Sequence, residues 1–414
     1  MTDPAGYGID NSGYGIDNLP FGIVSDARDE RKRPAVAFES SVVDLDALVR
    51  ANALDAESLH GATTLNSFLA EGLTTWRAVR ARLQHLLGTS ATPDEREAVA
   101  RATLPRDGVT MHLPIDVGDY VDFYSSIEHA TNVGRILRPT AEPLLPNYRH
   151  IPIGYHGRSG TVVVSGTPVR RPHGQRKAPD ADAPTFGPSA LLDVELEMGW
   201  IAGPGSTHGE PISADGVREH VFGYVLLNDW SARDIQAWEY QPLGPFIAKS
   251  FATSISPWIV TLDALEPFRV PERPRDPEPL PYLRASEPWA YDIELEMLLQ
   301  TQRMRAENHA PVTIARTNFR GMYWTVAQQL AHVTSNGAHL RPGDLFGTGT
   351  ISGSEPNTQG SFIELTWRGA NPLHLPTGES RAFLADGDSI TIRGHAARGA
   401  THIAFGEVTG TIIG

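Results

Sequence analysis

The chain has 414 residues, 40% of them hydrophobic and 20% charged, enough to bury a large core divided between two or three domains. A formal net charge of −14 with no basic block argues against a nucleic-acid partner, and zero cysteines exclude disulfides, thiolate metal sites and a cysteine nucleophile. No apolar run approaches ~18 residues and the start "MTDPAGYGIDN" lacks the regions of a signal peptide, so a soluble cytoplasmic protein without a membrane partner is expected.

The N-terminus carries a short duplication, "YGIDNSG" then "YGIDNLP", whose first copy reads as a flexible tail. From Asn66 to Gly88 the apolar residues Phe68, Leu69, Leu73, Trp76, Val79, Leu83 and Leu86 fall near helical spacing, with Asn66 as cap and Gly88 as stop. Near residue 117 the character changes to short apolar runs between Gly and Pro, which predicts a large β-rich domain after a smaller first one. Expected strands include "GTVVVSG", "SALLDVELEMGWIAG", "FGYVLLND", "SPWIVTLD", "AYDIELEMLLQ", "SFIELTW" and "DSITIRG". A Pro-rich loop spans 266 to 290, and "MYWTVAQQLAHVTSNG" predicts one helix whose Gln328, Gln329 and His332 form an ordinary half-exposed face. "GTGTISG" at 347 to 353 has the wrong spacing for a dinucleotide fingerprint and reads as a turn.

Two stretches repeat one pattern. "LDVELEMG" puts Asp193, Glu195 and Glu197 on one face of an extended strand, and "YDIELEML" does the same with Asp292, Glu294 and Glu296. Neighbouring acids on such a face sit about 7 Å apart and repel by roughly 2 kcal/mol at an effective dielectric of ~20. Water screens that repulsion; a buried site needs a cation. One copy can be a metal site and the other a wet strand face, and spacing alone does not say which. Asp229 ends the apolar run "FGYVLLND", which puts a carboxylate at the mouth of a buried strand, and Arg233, Gln236 and Tyr240 would share one helical face beside it. Oxygen ligands without Cys or clustered His favour Ca²⁺, Mg²⁺ or Mn²⁺ over Zn²⁺ or Cu²⁺.

Lysine is rare. Of 35 basic residues three are lysine, and only Lys249 lies among apolar and small residues, in "GPFIAKSFATSISPW". A compact ammonium can do what a planar guanidinium cannot, although chance survival explains it equally well at this point. Among the histidines, His129 and His156 both stand in polar blocks that could supply a general base.

The blocks "DFYSSIEHATNVG", "LLPNYRHIPIGYHGRSG", "LDVELEMG", "NDWSARDIQAWEYQPLGPFIAKSFATSISPW" and "LRPGDLFGTGTISGSEPNTQGSFIELTW" resemble the fumarylacetoacetase family, in the family's order, from about residue 17 almost to the end. The resemblance implies a mainly β fold with some α: a tail over 1–16 carrying the repeat, an SH3-like barrel over 17–117, and a mixed β-roll catalytic domain over 118–414. It implies a homodimer acting on a small molecule, fumarylacetoacetate, by hydrolysis of a carbon–carbon bond to fumarate and acetoacetate in tyrosine and phenylalanine breakdown. By its context the first acidic strand supplies metal ligands, giving the set Asp122, Glu195, Glu197 and Asp229 for Ca²⁺, and a Mg²⁺ position at Asp229, Lys249 and Thr253. Lysine there implies a backbone or hydrogen-bond contact rather than direct ligation. Glu294 and Glu296 fall to a solvated or subunit-facing strand.

His129 matches the family's base and Glu364 its orienting acid, with Arg233, Gln236 and Lys249 as oxyanion donors. Tyr124, Arg138, Gln236, Tyr240 and Thr350 match substrate-binding positions, and Tyr155 is a further candidate for that pocket. Taken singly, Arg138 before Pro139 reads as a surface residue and Tyr124 as core; only their place in matching blocks makes them candidates. Two rivals stand beside this reading. One is an acylpyruvate-type hydrolase or decarboxylase of the same superfamily, against which the first 117 residues argue. The other is a non-enzymatic Ca²⁺-stapled binding module.

Overall fold

The computed structural model describes residues 13–414. The first copy of the repeat lies almost wholly outside the described residues. From Gly13 the chain is packed: Asn18 donates through Nδ2 to Gly13 O at 2.7 Å and Ala404 O at 2.8 Å, tying the second copy to the C-terminal hairpin.

Residues 21–112 build a five-stranded antiparallel sheet in the order Thr103–Pro105, Ser41–Asp44, Arg33–Phe38, Phe21–Asp26, Val109–His112. The helix predicted from Asn66 is two, Asn66–Ala70 and Leu73–Leu87, because Gly72 turns the chain with a φ of +80°. Asn66 is not the cap; its side chain accepts from Asp116 N and donates to Pro342 O, each at 2.8 Å.

The centre of the molecule is an eight-stranded mixed sheet. Along its main path run Gly154–His156, Tyr120–Phe123, Leu345–Gly347, Leu196–Ala202, Val221–Asp229, Thr253–Ile255 and Val162–Val164. The continuous apolar runs of the sequence are here because both faces are covered. On one face Leu196, Met198, Trp200, Tyr224 and Leu226 join the larger core, which extends over a second sheet containing Glu294–Gln300, Ser389–Arg398 and Thr401–Ile413. On the other face Tyr120, Ile201, Val225, Leu227, Ile255 and Leu345 join the core of the N-terminal domain. The two domains therefore share a core. An aromatic cluster reinforces it: Phe222 meets Phe21 at 5.5 Å, Phe68 at 5.8 Å and Trp76 at 5.1 Å between ring centroids. Phe21 also exchanges both backbone hydrogen bonds with Ile259.

Three further expectations need correction. "SFIELTW" is not a strand: Phe362–Leu365 is a short helix. Gln328 and Gln329 are buried, not half-exposed; Gln329 accepts from Trp200 Nε1 at 2.8 Å and donates to Ser125 Oγ at 2.9 Å. The acidic stretch after Ala190 is interrupted, with Leu192–Asp193 paired to Ser231–Ala232 and Leu196–Ala202 in the large sheet, so its acids do not form one row. Among the described residues no helix is long and apolar enough to cross a membrane.

Candidate active site

Following the strands of the central sheet along the face they present to the N-terminal domain, the side chains change character at one end. Tyr120 gives way to Asp122, Ile201 and Gly199 to Glu197, Leu227 to Asp229, Ile255 to Thr253 and Leu345 to Gly347. Strand alternation thus places carboxylates side by side at the rim of an apolar core. Glu195, just before the strand, completes the group. Ligand atoms of Asp122, Glu195, Glu197 and Asp229 lie within 4.8 Å of one another, and all four residues are buried. Two ionised carboxylates that close repel by about 3.5 kcal/mol at an effective dielectric of ~20, so this cluster requires positive charge.

Part of that charge is present. Lys249 Nζ donates to Glu195 Oε2 at 2.5 Å and Asp229 Oδ2 at 2.7 Å, and Arg233 Nη2 donates to Glu195 Oε1 at 2.7 Å. Burial alone would raise the Glu195 carboxyl, but these two cations outweigh it and hold the group below the ordinary carboxylate range. Burial would likewise lower the Lys249 ammonium, and the Asp229 and Glu195 charges raise it instead. The other half of the cluster has no such partner. Burial and then the Asp229 charge push Asp122 well above the ordinary range, and burial and then Asp122 do the same to Glu197. Asp122 Oδ1 and Glu197 Oε1 are buried with no hydrogen-bond partner. Unpartnered buried carboxylate oxygens in a cluster of four acids are what a hard divalent cation fits. Gly347 lets the backbone come close to these acids, since a Cβ there would stand 2.7 Å from Asp122 Oδ1 and 3.1 Å from Glu197 Oε2. The acids of "YDIELEML" are different: Glu294 is exposed beside His395, and half-buried Glu296 pairs with exposed Arg316 at 2.5 Å.

Against this cluster stands a histidine–carboxylate pair. Ser126 caps the helix Ile127–Leu137 by accepting from His129 N, which sets His129 on the buried side. His129 Nδ1 lies 2.6 Å from Glu364 Oε2, and His129 Nε2 lies 3.9 Å from Glu195 Oε1. Glu364 also accepts from Asn132 Nδ2 at 3.0 Å, Ser352 Oγ at 2.9 Å and Ser361 Oγ at 2.7 Å. Burial opposes its charge, but His129 and these donors outweigh burial and hold Glu364 below the ordinary carboxylate range. The rival histidine, His156, is exposed on a short edge strand.

The remaining candidates lie on several segments. Tyr124 meets the His129 ring edge-on at 5.3 Å between centroids. Arg138 caps the C-terminus of the His129 helix, donates through Nη2 to Pro143 O at 2.8 Å, and keeps a buried, unpartnered Nε. Thr350 follows Gly349, whose N–H donates to Glu197 Oε2 at 3.0 Å, and its hydroxyl is buried without a partner. The helix Arg233–Glu239 carries Gln236, whose Oε1 accepts from Arg233 Nη1 at 3.0 Å, and ends at half-buried Tyr240. Thr253 Oγ1 lies 3.4 Å from Asp229 Oδ1. Tyr155 stands among the acids themselves, its hydroxyl 2.9 Å from Asp122 Oδ2 and 3.1 Å from Asp229 Oδ2.

Several contributors carry no signal in the sequence. Asn132, Ser352 and Ser361 converge on Glu364 from three segments, which only the tertiary fold reveals. Glu239 accepts from the backbone N–H groups of Phe246 at 2.8 Å, Ile247 at 3.2 Å and Ala248 at 2.8 Å, closing the turn that leads into Lys249.

Comparison with known proteins identifies the family. The profile of "Fumarylacetoacetase N-terminal" matches residues 17–114, and that of "Fumarylacetoacetate (FAA) hydrolase C-terminal" matches residues 120–413. The chain is 47% identical over 397 residues to the fumarylacetoacetases of Rattus norvegicus and Homo sapiens, covering 94% of each chain. It is 46% identical to that of Arabidopsis thaliana, covering 92% of this chain and 91% of the relative. Among solved structures, a fumarylacetoacetate hydrolase from Exiguobacterium antarcticum shares the fold with a TM-score of 0.54 at 16% identity, covering 95% of this chain and 99% of that one. A maleylpyruvate hydrolase from Sphingobium sp. SYK-6 has a TM-score of 0.51 at 14% identity, with the same coverage. The chain belongs to the fumarylacetoacetase family.

Proposed function

We propose that this protein hydrolyses 4-fumarylacetoacetate to fumarate and acetoacetate, with His129 as general base. The observation that carries the reading is the buried His129–Glu364 pair beside an acidic cluster, in a chain whose relatives at 44–47% identity are fumarylacetoacetases. Because Glu364 is held ionised, it accepts the Nδ1 proton and fixes the tautomer in which Nε2 carries the lone pair. Nε2 takes a proton from water as the oxygen bonds to the carbonyl carbon next to the fumaryl double bond. The bond from that carbon to the adjacent methylene then breaks, and the proton on Nε2 goes to the methylene, which becomes the methyl group of acetoacetate.

Arg233, Gln236 and Lys249 supply donors for the oxyanion. The bond from Arg233 to Gln236 Oε1 turns the amide so that its Nε2 hydrogens are left to donate. Arg138, the C-cap of the His129 helix, binds a substrate carboxylate, a role that suits a guanidinium; Tyr124, edge-on to the His129 ring, Tyr240 and Thr350 are assigned to the same substrate. Tyr155 holds the Asp122 and Asp229 carboxylates in place at least as much as it meets substrate. Asp122, Glu195, Glu197 and Asp229 would hold a divalent ion, which when bound would supply charge favouring the enolate of the leaving group. Four carboxylates suit Ca²⁺, and Asp229, Thr253 and the Lys249 segment would serve Mg²⁺.

The domain limits proposed are 17–117 and 118–414, and the setting is cytoplasmic breakdown of tyrosine and phenylalanine. The proposed assembly is a homodimer. Phe186, Leu243 and Phe246 are largely exposed, a surface that a second copy would cover. The test is the loss of fumarylacetoacetate absorbance with purified protein, with and without chelator, compared with acylpyruvates. Turnover of acylpyruvates alone would replace this reading with the acylpyruvate one, and no turnover of either in Ca²⁺-loaded protein would overturn it.

A further inference from the structure

The first acidic stretch contains an acid that the cation cluster does not use. Asp193 is fully buried, and it accepts four hydrogen bonds from three segments. Its Oδ2 takes Arg233 Nε at 2.8 Å and Ile363 N at 3.1 Å; its Oδ1 takes Phe362 N at 2.7 Å and Val194 N at 2.8 Å. Phe362 and Ile363 open the short helix that carries Glu364, and the side chain of its own N-cap residue, Ser361, does not bond the helix backbone. The first N–H groups of a helix need acceptors, and here a carboxylate from a distant strand supplies them.

We infer that Asp193 is a positioning residue that locks the two arms of the active site together. One carboxylate fixes both Arg233, an oxyanion donor, and the backbone under Glu364, the acid that orients His129. The inference rests on the function proposed above and adds a residue to it. Asp193 touches neither His129 nor the cluster of four acids, so it acts only through its two dependents. Its geometry demands a carboxylate: four donors converge on two oxygens, and in either orientation an amide would set its N–H₂ against two of them, Arg233 Nε–H and Ile363 N–H or Phe362 N–H and Val194 N–H. Arg233 keeps Glu195 as a partner in that case, so the loss is of alignment more than of charge balance.

The test is a double-mutant cycle of Asp193→Asn with Glu364→Gln, reading kcat, KM and the rise in melting temperature on adding Ca²⁺. We expect Asp193→Asn to lower kcat by about 10²-fold, the scale of a misplaced catalytic group, while KM changes by less than about threefold and the Ca²⁺-induced rise persists. We expect the double variant to lose little beyond Glu364→Gln alone, because both changes disable one unit. Multiplying losses, or wild-type kcat in Asp193→Asn, would overturn the inference. If Asp193→Asn does not fold, Asp193→Glu keeps the charge but displaces it by one methylene, and should show the same fall in kcat with KM preserved. If neither variant folds, the residue is purely architectural and the inference fails. Wild-type turnover in His129→Ala and Glu364→Gln would instead refute the proposed function, an outcome separate from failure at Asp193.

Discussion

His129 Nδ1 and Glu364 Oε2 lie 2.6 Å apart, though 235 residues separate them along the chain, and both side chains are buried. The contact leaves one imidazole nitrogen for chemistry and commits the other to a carboxylate. His129→Ala is therefore expected to lower kcat by about 10²–10⁴, the range for loss of general acid–base catalysis, with Ca²⁺ affinity and substrate Kd little changed. Steady-state kinetics alongside calorimetric titration checks both halves. Loss of Ca²⁺ binding would mean that His129 serves the cluster instead.

The four-acid cluster predicts metal dependence. Chelation should remove activity and lower the melting temperature, because Asp122 and Glu197 then lack a counter-charge, and Ca²⁺ should restore both. Differential scanning calorimetry with and without Ca²⁺ measures the stability half independently of turnover.

The two acidic strands should respond oppositely to the same change. Glu197→Gln removes one of the four buried carboxylates and should weaken Ca²⁺ binding at least ~10-fold, in line with the dependence of Ca²⁺ affinity on ligand charge. Glu296→Gln alters a half-buried surface pair worth about 0–1 kcal/mol and should leave binding and turnover near wild type. Titration calorimetry on both variants decides it.

Lys249→Arg preserves charge but replaces a compact group held between Glu195 and Asp229 with a wider planar one. A loss of roughly 10²–10³ in kcat is expected, the scale for one oxyanion donor. Near-wild-type turnover would show that any cation serves there.

The pH dependence of stability follows from Glu364. Its folded value lies below the ordinary 4.5, held down against burial by His129 and neighbouring hydroxyl and amide donors. As pH falls past about 4.5 the unfolded chain takes up this proton first. The stabilisation is thus complete above the unfolded value and is lost as pH falls through the folded one. Glu364→Gln has no such proton to bind, so its stability should decline less steeply than wild type below about pH 4.5 in denaturant titrations.

Much of this was legible in the sequence, for identifiable reasons. The strands Val221–Asp229 and Glu294–Gln300 announce themselves as apolar or alternating runs, and the family blocks point to His129, Glu364 and the four acids. What was hidden depends on distant packing. "SFIELTW" has strand composition but forms a helix because Asp193, from another strand, accepts the first two N–H groups. Gln329 looks like a polar helix face and is buried because Trp200 and Ser125 supply its partners. The single break at Gly72 shows only as a positive φ, which a periodic apolar pattern runs straight across.

Hydrolysis in ¹⁸O-labelled water tests the central claim most directly, since it follows the oxygen that His129 is said to activate. Ca²⁺-loaded protein acting on fumarylacetoacetate should give fumarate carrying one labelled oxygen per molecule formed, and His129→Ala should form that labelled fumarate about 10²–10⁴ times more slowly. Fumarate formed without label, or label incorporated equally fast by His129→Ala, would contradict the account.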